Sequence, residues 1–265
     1  MEDTVIKAEG LCKSYKMFKK SADRWLDVFL PFKKASYFKA LRDVDLEVKA
    51  GESVGLVGLN GSGKTTLSNL IAGVSRPSAG TLEVKGRTTR TSVGVGLNPQ
   101  LTGIENIEMK GLLIGLKSKE IKALMPQIIE FAEIEDFIDQ PVKTYSSGMR
   151  SRLSFAISIN VNPDIMVVDE GLSVGDLTFV DKCLNWVKTF RKSGKTMIFT
   201  SHSADQVKSF CDRIVWIEGG KVKMDGPATE VLAEYNGFIK WYKGLSEADQ
   251  KAFIKKLKED RMGVR

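Results

Sequence analysis

The 265-residue sequence is poor in the residues that build disulfide frameworks and zinc sites. It has three cysteines (Cys12, Cys183 and Cys211) and a single histidine. No two cysteines follow the C-x-x-C spacing, and an odd number leaves at least one of them unpaired. These features argue against a disulfide-stapled fold and a cysteine-rich zinc site, and they favour a reducing compartment.

Long apolar runs are also absent. No stretch approaches the roughly 18 consecutive apolar residues of a membrane-spanning helix. The N-terminus shows no cationic start followed by an apolar stretch, so no signal peptide is visible. We therefore expect a cytosolic chain, which can still sit on a membrane-embedded partner. With 42% hydrophobic residues it is globular and long enough for one large core, or for one core with a helical appendage.

The positive charge of the chain is unevenly distributed. The formal net charge of +7 is by itself compatible with nucleic acid, with an anionic membrane surface or with no specific partner. Residues 16–39 carry seven Lys or Arg against two Asp, and residues 240–258 are also rich in lysine. The basic character therefore belongs to two peripheral segments.

The most specific motif runs from Gly58 to Thr65. It fits G-x-x-x-x-G-K-[ST], with a short buried-type strand before it and an amphipathic helix after it. Glycines let N–H groups turn inward around an anion, and the positive end of the helix points to the same place. Lys64 adds a charge for the outer phosphates, and the Thr65 hydroxyl is a hard oxygen suited to Mg²⁺. A glycine-rich surface turn needs neither residue at these offsets.

We therefore predict that this stretch binds a nucleoside triphosphate. The predicted phosphate-binding residues are Gly58, Leu59, Asn60, Gly61, Ser62, Gly63, Lys64, Thr65 and Thr66.

Two adjacent acids follow another apolar run, Ile165-Met-Val-Val. This run places Asp169 at the carboxyl end of a parallel strand, where the carboxylate can hold Mg²⁺ directly or through water. Glu170 comes next and can polarise a water for attack on the γ-phosphate. One acid after an apolar run is common in α/β proteins, but two acids behind a complete phosphate loop favour the functional interpretation.

His202 and a serine-glycine turn complete the set. His202 follows another apolar strand, at the strand end expected beside Asp169, and it can reach the γ-phosphate or the attacking water; a lone histidine is otherwise often an ordinary core or surface residue.

Ser146, Ser147 and Gly148 open a helix, where hydroxyl and N–H groups form a second anion site or simply a helix cap. A second γ-phosphate site makes sense if it serves another copy of the chain.

The remaining pattern predicts an α/β core. Residues 4–9 alternate weakly, which is typical of an edge strand, and residues 103–139 are strongly helical, which indicates an inserted helical subdomain. The other predicted strands are 40–50, 53–57, 81–85, 165–169, 196–200, 213–218 and 221–224, the predicted helices are 177–192 and 205–210, and the C-terminal segment is predicted to be helical.

In their order and spacing these motifs resemble the ATP-binding cassette (ABC) family over roughly residues 4–232. The resemblance implies an α/β fold of the P-loop NTPase class: a RecA-like α/β core with an N-terminal antiparallel β-subdomain and an inserted α-helical subdomain. It implies a nucleotide-binding domain over 1–240 and a C-terminal helical tail over 241–265. Within the domain, 16–40 is a basic aromatic insertion and 103–160 the helical subdomain with the signature motif.

The resemblance also implies roles for individual residues. Tyr15 matches the aromatic that stacks on adenine, and 173–176 matches the family's D-loop. Lys64, Glu170 and His202 are the implied catalytic residues, Thr65 and Asp169 the metal ligands, and ATP and Mg²⁺ the cofactors. The family forms a head-to-tail homodimer, which implies that Ser146, Ser147 and Gly148 of one copy close on ATP held by the other.

Three features depart from the usual family pattern. The signature begins Tyr-Ser-Ser-Gly-Met rather than Leu-Ser-Gly-Gly-Gln, and Gln100 does not stand at the usual glutamine position, so it receives no metal role. The segment between Tyr15 and Leu41 is much longer than usual and interleaves aromatics with lysines. It is either a short helix that packs on the core or an exposed amphipathic element that meets a membrane-embedded partner or lipid headgroups.

These departures are similar to the ABC subgroup that exports surface polysaccharides across bacterial inner membranes, and within it to the branch that exports wall teichoic acid. The implied protein is an ATPase subunit at the cytoplasmic face of the cell membrane, paired with two copies of a separate integral membrane permease that moves a lipid-linked polysaccharide. No nucleic acid partner is expected. Export of O-antigen or capsule, an importer ATPase, and a soluble ABC ATPase acting on ribosomes or DNA stay alternatives.

Overall fold

The computed structural model describes residues 3–17, 36–91, 96–169, 177–201 and 204–264, which form two compact units. The first unit consists of Met1–Asp3, Lys49–Val54 and Lys85–Cys211, and the second of Thr4–Val48, Gly55–Val84 and Asp212–Arg265. Most of the predicted insertion at 16–40 lies outside the described residues.

The chain combines strands and helices, as expected of an α/β fold. The strands are β1 (Thr4–Met17), β2 (Ser36–Lys49), β3 (Ser53–Val57), β4 (Ala79–Val84), β5 (Thr88–Thr91), β6 (Ile165–Asp169), β7 (Thr196–Thr200), β8 (Arg213–Glu218), β9 (Lys221–Pro227) and β10 (Met262–Val264). The α-helices are α1 (Lys64–Ile71), α2 (Gly103–Leu113), α3 (Ser118–Ala132), α4 (Ser147–Asn160), α5 (Leu177–Lys192), α6 (Ala204–Phe210), α7 (Ala228–Gly244) and α8 (Glu247–Glu259).

The first unit carries parallel strands in the order β5-β6-β7. Thr88 lies opposite Ile165, and Asp169 lies opposite Thr200 at the carboxyl ends of β6 and β7. Every residue of β6 and β7 is buried, as expected for parallel strands covered on both faces. This register brings the predicted metal ligand Asp169 next to the end of the neighbouring strand.

Helices α2, α3 and α4 form a helical block in the first unit. Apolar residues of all three helices, among them Ile107, Ile128 and Leu153, build one buried cluster. Helix α2 begins at a capping box: the Glu105 N–H donates to the Thr102 hydroxyl at 3.2 Å, and the Thr102 N–H donates to the Glu105 carboxylate at 2.8 Å. The helical character predicted for residues 103–139 is therefore confirmed.

The second unit contains an antiparallel sheet in the order β10-β2-β1-β4. The sequence predicted that residues 4–9 form an edge strand; this is wrong, because β1 lies between β2 and β4. Within this segment burial alternates from Ile6 to Glu9, and the pairing of β1 with β4 shifts register only after it, between Glu9 and Cys12.

Strands β8 and β9 of the second unit form an antiparallel hairpin that supports the C-terminal helices. The ring of Trp216 on β8 lies 5.3 Å from that of Tyr235 and 5.1 Å from that of Phe238, both on α7. Phe253 of α8 packs 6.0 Å from Phe238. In the described part of the chain no helix is long and apolar enough to cross a membrane.

Lys110 is a charged residue within the helical block, and it makes stability depend on pH. Its ammonium donates to the Ser154 hydroxyl at 3.0 Å, and burial lowers its pKa from 10.5 to about 8. Between these values the unfolded chain holds the proton and the folded chain does not. The free energy of unfolding should therefore rise with pH across this window.

Lys110→Met should raise the free energy of unfolding at neutral pH by about 1–3 kcal/mol, because it removes the cost of burying the ammonium. This gain should shrink as the pH rises from about 8 to 10.5. Urea unfolding across this range measures it. The exposed Lys122→Met on α3 serves as the control and should change stability little. A less stable Lys110→Met chain at neutral pH would contradict the prediction.

Candidate nucleotide-binding site

The phosphate loop lies in the second unit, between the buried strand β3 and helix α1. Lys64 is 4% exposed, and its ammonium donates to the carbonyl oxygens of Gly58 at 2.7 Å and Leu59 at 3.3 Å. The lysine therefore points its charge into the loop. Helix α1 has no side-chain cap and no acid in its first turn, so its N-terminal N–H groups can take an anion.

Gly58 shows why the loop needs glycine at its first position. Its φ is +146°, and a Cβ built there would lie 2.2 Å from the Ile217 carbonyl oxygen and 2.7 Å from the Ser62 hydroxyl. Gly61 also has a left-handed φ of +76°, but nothing lies within 4 Å of a Cβ at that position. The two glycines thus serve different purposes: close backbone packing at Gly58 and backbone conformation alone at Gly61.

Asp169 ends β6 in the first unit with its side chain 5% exposed. The Thr200 hydroxyl donates to one carboxylate oxygen at 2.6 Å, and Arg90 forms an ion pair with the other. A buried carboxylate needs such partners. The carboxylate of Asp169 and the exposed hydroxyl of Thr65 are hard oxygen donors of the kind that Mg²⁺ prefers, so both predicted ligands fit this metal chemically.

Arg90 was missed in the sequence because β5 is a short polar strand, Thr-Thr-Arg-Thr, without an apolar signal. The Arg90 side chain is 15% exposed and reaches Asp169 across the parallel pairing of β5 and β6, where Arg90 lies opposite Val167. The arginine is therefore a functional candidate that the structure adds to this site.

The serine-glycine turn opens helix α4 in the first unit. Ser146 is the N-cap, and its hydroxyl accepts from the Met149 N–H at 3.1 Å. Ser146 and Ser147 are both exposed, and the first turn of α4 contains no acid. Tyr145 is buried beneath the turn, where its hydroxyl donates to the Phe137 carbonyl at 2.7 Å and burial raises its pKa. The turn is thus anchored by Tyr145 and accessible at its serines.

Other predicted site residues are described in part. Tyr15 is 41% exposed on β1, with the Lys13 ammonium 5.3 Å from the centre of its ring. Its ring is thus accessible to a planar ligand. Gln100 lies on an exposed turn. Glu170, His202 and the segment 173–176 lie outside the described residues, so their roles stay predictions.

Gly58→Ala should largely abolish binding of a fluorescent nucleoside triphosphate, because the new methyl group forces the loop away from the Ile217 carbonyl. Gly61→Ala is the matched comparison. It should lower stability by about 1–2 kcal/mol through backbone strain and impair binding much less. Fluorescence titration together with thermal unfolding measures both effects. Equal binding losses in the two variants would contradict the packing argument.

Comparisons with known proteins show which family the chain resembles. The model of the family described as ABC transporter matches residues 41–173. The teichoic acids export ATP-binding protein TagH of Staphylococcus haemolyticus is 49% identical over 260 residues, which cover 98% of each chain. TagH of Bacillus cereus is 50% identical over 248 residues, 94% of this chain and 45% of the relative. The chain thus spans about half the length of the Bacillus relatives it matches.

Solved structures show the fold. The ATP-binding cassette MJ0796, as a post-hydrolysis dimer bound to ADP and Pi, has a TM-score of 0.68 at 22% identity over 84% of this chain and 98% of that chain. The ATP-binding subunit of another ABC transporter has a TM-score of 0.69 at 19% identity over 95% of this chain and 99% of that chain. The predicted fold class, a P-loop α/β fold of the ABC ATPase type, is confirmed. With the family match and the near-complete Staphylococcus alignment, the chain belongs to the ABC transporter family.

Proposed function

We propose that this chain binds and hydrolyses ATP to drive a membrane transporter. The observation that carries the proposal is the phosphate loop, in which Lys64 is buried against the loop's own carbonyl oxygens at the uncapped start of α1. Lys64 and the N–H groups of α1 bind the phosphates and neutralise their charge. The exposed ring of Tyr15 stacks on the adenine.

Hydrolysis uses polar groups at the ends of strands. Thr65 and Asp169 are the residues that would hold Mg²⁺, which would supply positive charge against the negative charge of the phosphates. Glu170 accepts a proton from the attacking water, and His202 orients the γ-phosphate or that water. Thr200 and Arg90 hold the Asp169 carboxylate in one orientation.

The exposed serine-glycine turn supports a homodimer of this chain. Ser146 and Ser147 present hydroxyl groups at an acid-free helix start, which favours the binding of an anion there. In a head-to-tail dimer, Ser146, Ser147 and Gly148 of one copy contact the γ-phosphate in the loop of the other. ATP closes this dimer, and hydrolysis opens it.

The transported substrate we propose is wall teichoic acid in its lipid-linked form, because TagH relatives share about half of all residues with this chain. Two copies of a separate integral membrane permease would move the polymer, with the ATPase dimer at the cytoplasmic face. Large apolar side chains are exposed at the end of α2 and after α3, and the permease would contact them: Leu112 is 55% exposed, Leu113 77% and Phe137 50%.

The dimer is testable with a chain that binds ATP but does not hydrolyse it. Glu170→Gln should retain ATP and accumulate as a dimer, which gel filtration with ATP would show. Adding Ser147→Arg to Glu170→Gln should abolish the dimer but not ATP binding, since the arginine blocks the approach of the second copy. Adding Lys64→Ala should weaken ATP binding itself.

The matched control is Ser118→Arg in the Glu170→Gln chain, because Ser118 is another exposed serine in the first turn of a helix. It should dimerise normally. Dimerisation of the Ser147→Arg chain to the same extent would rule out the composite site, and wild-type turnover by Glu170→Gln would remove Glu170 from its catalytic role.

The permease surface is testable by membrane fractionation. The chain should sediment with membranes when the permease is co-expressed and stay in the supernatant otherwise. Leu113→Asp should reduce sedimentation severalfold, because it places a charge in the apolar contact. Val74→Asp is the control, since Val74 is also strongly exposed (65%) but belongs to the second unit. Sedimentation with ribosomes or nucleic acid instead would favour a soluble ABC ATPase.

A further inference from the structure

Residues 245–264 of the C-terminal tail reach back to the phosphate loop within the second unit. Helix α8 ends at Glu259, Arg261 follows, and β10 pairs with β2 so that Met262 lies opposite Phe38. The backbone N–H of Lys39 donates to the Arg261 carbonyl at 2.8 Å. Arg261 is only 3% exposed, although it stands near the end of a polar, lysine-rich tail. A buried arginine in such a segment needs a reason.

The guanidinium of Arg261 binds backbone carbonyl groups of both β2 and the phosphate loop. Nε donates to Lys39 at 2.9 Å, Nη2 to Ala40 at 2.7 Å and Nη1 to Gly61 at 2.6 Å. The guanidinium also lies 4.3 Å from the centre of the Phe38 ring. Hydrogen bonds from a charged donor are stronger than neutral ones, and the planar fork fixes their directions. One side chain therefore ties the tail to the phosphate loop.

The contact of Arg261 with Gly61 fixes the orientation of one peptide group in the phosphate loop. The Gly61–Ser62 peptide is bound at both ends: its carbonyl accepts from Arg261, and its N–H donates to the Leu59 carbonyl at 3.0 Å. The Ser62 carbonyl in turn accepts from the Gly220 N–H at 2.8 Å. A loop that binds phosphate through N–H groups needs its carbonyl oxygens turned away from the anion. The hydrogen bond from Arg261 holds the Gly61 carbonyl oxygen in such an orientation.

Arg261 also buries a positive charge beside the loop. Burial and the nearby Arg42 lower its pKa to about 10, so the guanidinium stays charged at neutral pH. Among the residues that the structure describes, its partners are carbonyl oxygens and the Phe38 ring rather than a carboxylate. Burying a cation in this way is costly. An anion in the loop would offset part of this cost.

We propose that Arg261 is a positioning residue for the phosphate loop, and that docking of the C-terminal tail and binding of ATP favour each other. The proposal rests on the proposed function in one respect, namely that the loop binds ATP. Linkage makes the effect reciprocal: the factor by which the docked tail raises ATP affinity equals the factor by which ATP favours docking. The tail thus becomes a control element of the ATP site.

The full chain allows both sides of this coupling to be measured. ATP affinity comes from displacement of a fluorescent nucleotide, and tail docking from hydrogen–deuterium exchange of residues 259–264 with and without ATP. Arg261→Met should weaken ATP binding about tenfold, because the loop loses a charged donor. Arg261→Lys should recover part of this loss, because it keeps the charge and one donor.

ATP should slow amide exchange in the wild-type tail and have a much smaller effect in Arg261→Met. A merely structural role of Arg261 would not make exchange depend on ATP. Lys255→Met is the control, because it removes an exposed charge from α8 and should bind ATP like the wild type. Circular dichroism checks that each variant is folded.

Two results would overturn the proposal. One is exchange in the wild-type tail that ATP leaves unchanged, a measurement that needs no variant to fold. The other is equal ATP affinity of the wild type and a folded Arg261→Met chain. A wild-type chain that binds ATP no better than Lys64→Ala would instead refute the proposed function, so the two failures are distinguishable.

Discussion

An anion site made of backbone N–H groups works only if its peptide groups are held in one orientation. In this chain the constraint comes from backbone packing around the phosphate loop. Gly58 lies so close to the Ile217 carbonyl that no side chain fits between them, and the Ser62 carbonyl accepts from Gly220. These contacts join the loop to β8 and to the turn that follows it. The geometry of the phosphate loop therefore depends on the β8–β9 hairpin as well as on the loop's own residues.

A different constraint, charge compensation, organises the carboxyl end of β6 in the first unit. Asp169 is buried, and its two carboxylate oxygens are taken up by Thr200 and Arg90. Both partners come from adjacent strands, so the parallel register of β5, β6 and β7 decides where the carboxylate points. A metal ion at Asp169 would therefore meet a carboxylate whose orientation is already fixed. Metal binding would then cost less conformational entropy, because the Asp169 side chain is already held in place.

The elements that could be predicted from the sequence are those with a recognisable pattern within the element itself. Strands β3, β6 and β7 are buried throughout and appear in the sequence as continuous apolar runs. Strands β5 and β10 carry no such pattern and form only because β6 and β2 offer them pairing partners. The contacts of Arg90 and Arg261 could not be predicted from the sequence either. Their partners Asp169 and Gly61 lie 79 and 200 residues away in the chain, and such contacts leave no spacing in the sequence.

Arg90 and Arg261 bind different kinds of group, and this difference affects the local charge in each unit. Arg90 forms an ion pair with the Asp169 carboxylate, so the two charges largely compensate each other at the end of β6. Arg261 binds carbonyl oxygens, and the Lys64 ammonium also donates to carbonyl oxygens of the loop. Two buried positive charges of the second unit therefore lie at the phosphate loop. This charge favours the binding of a polyphosphate anion at the loop.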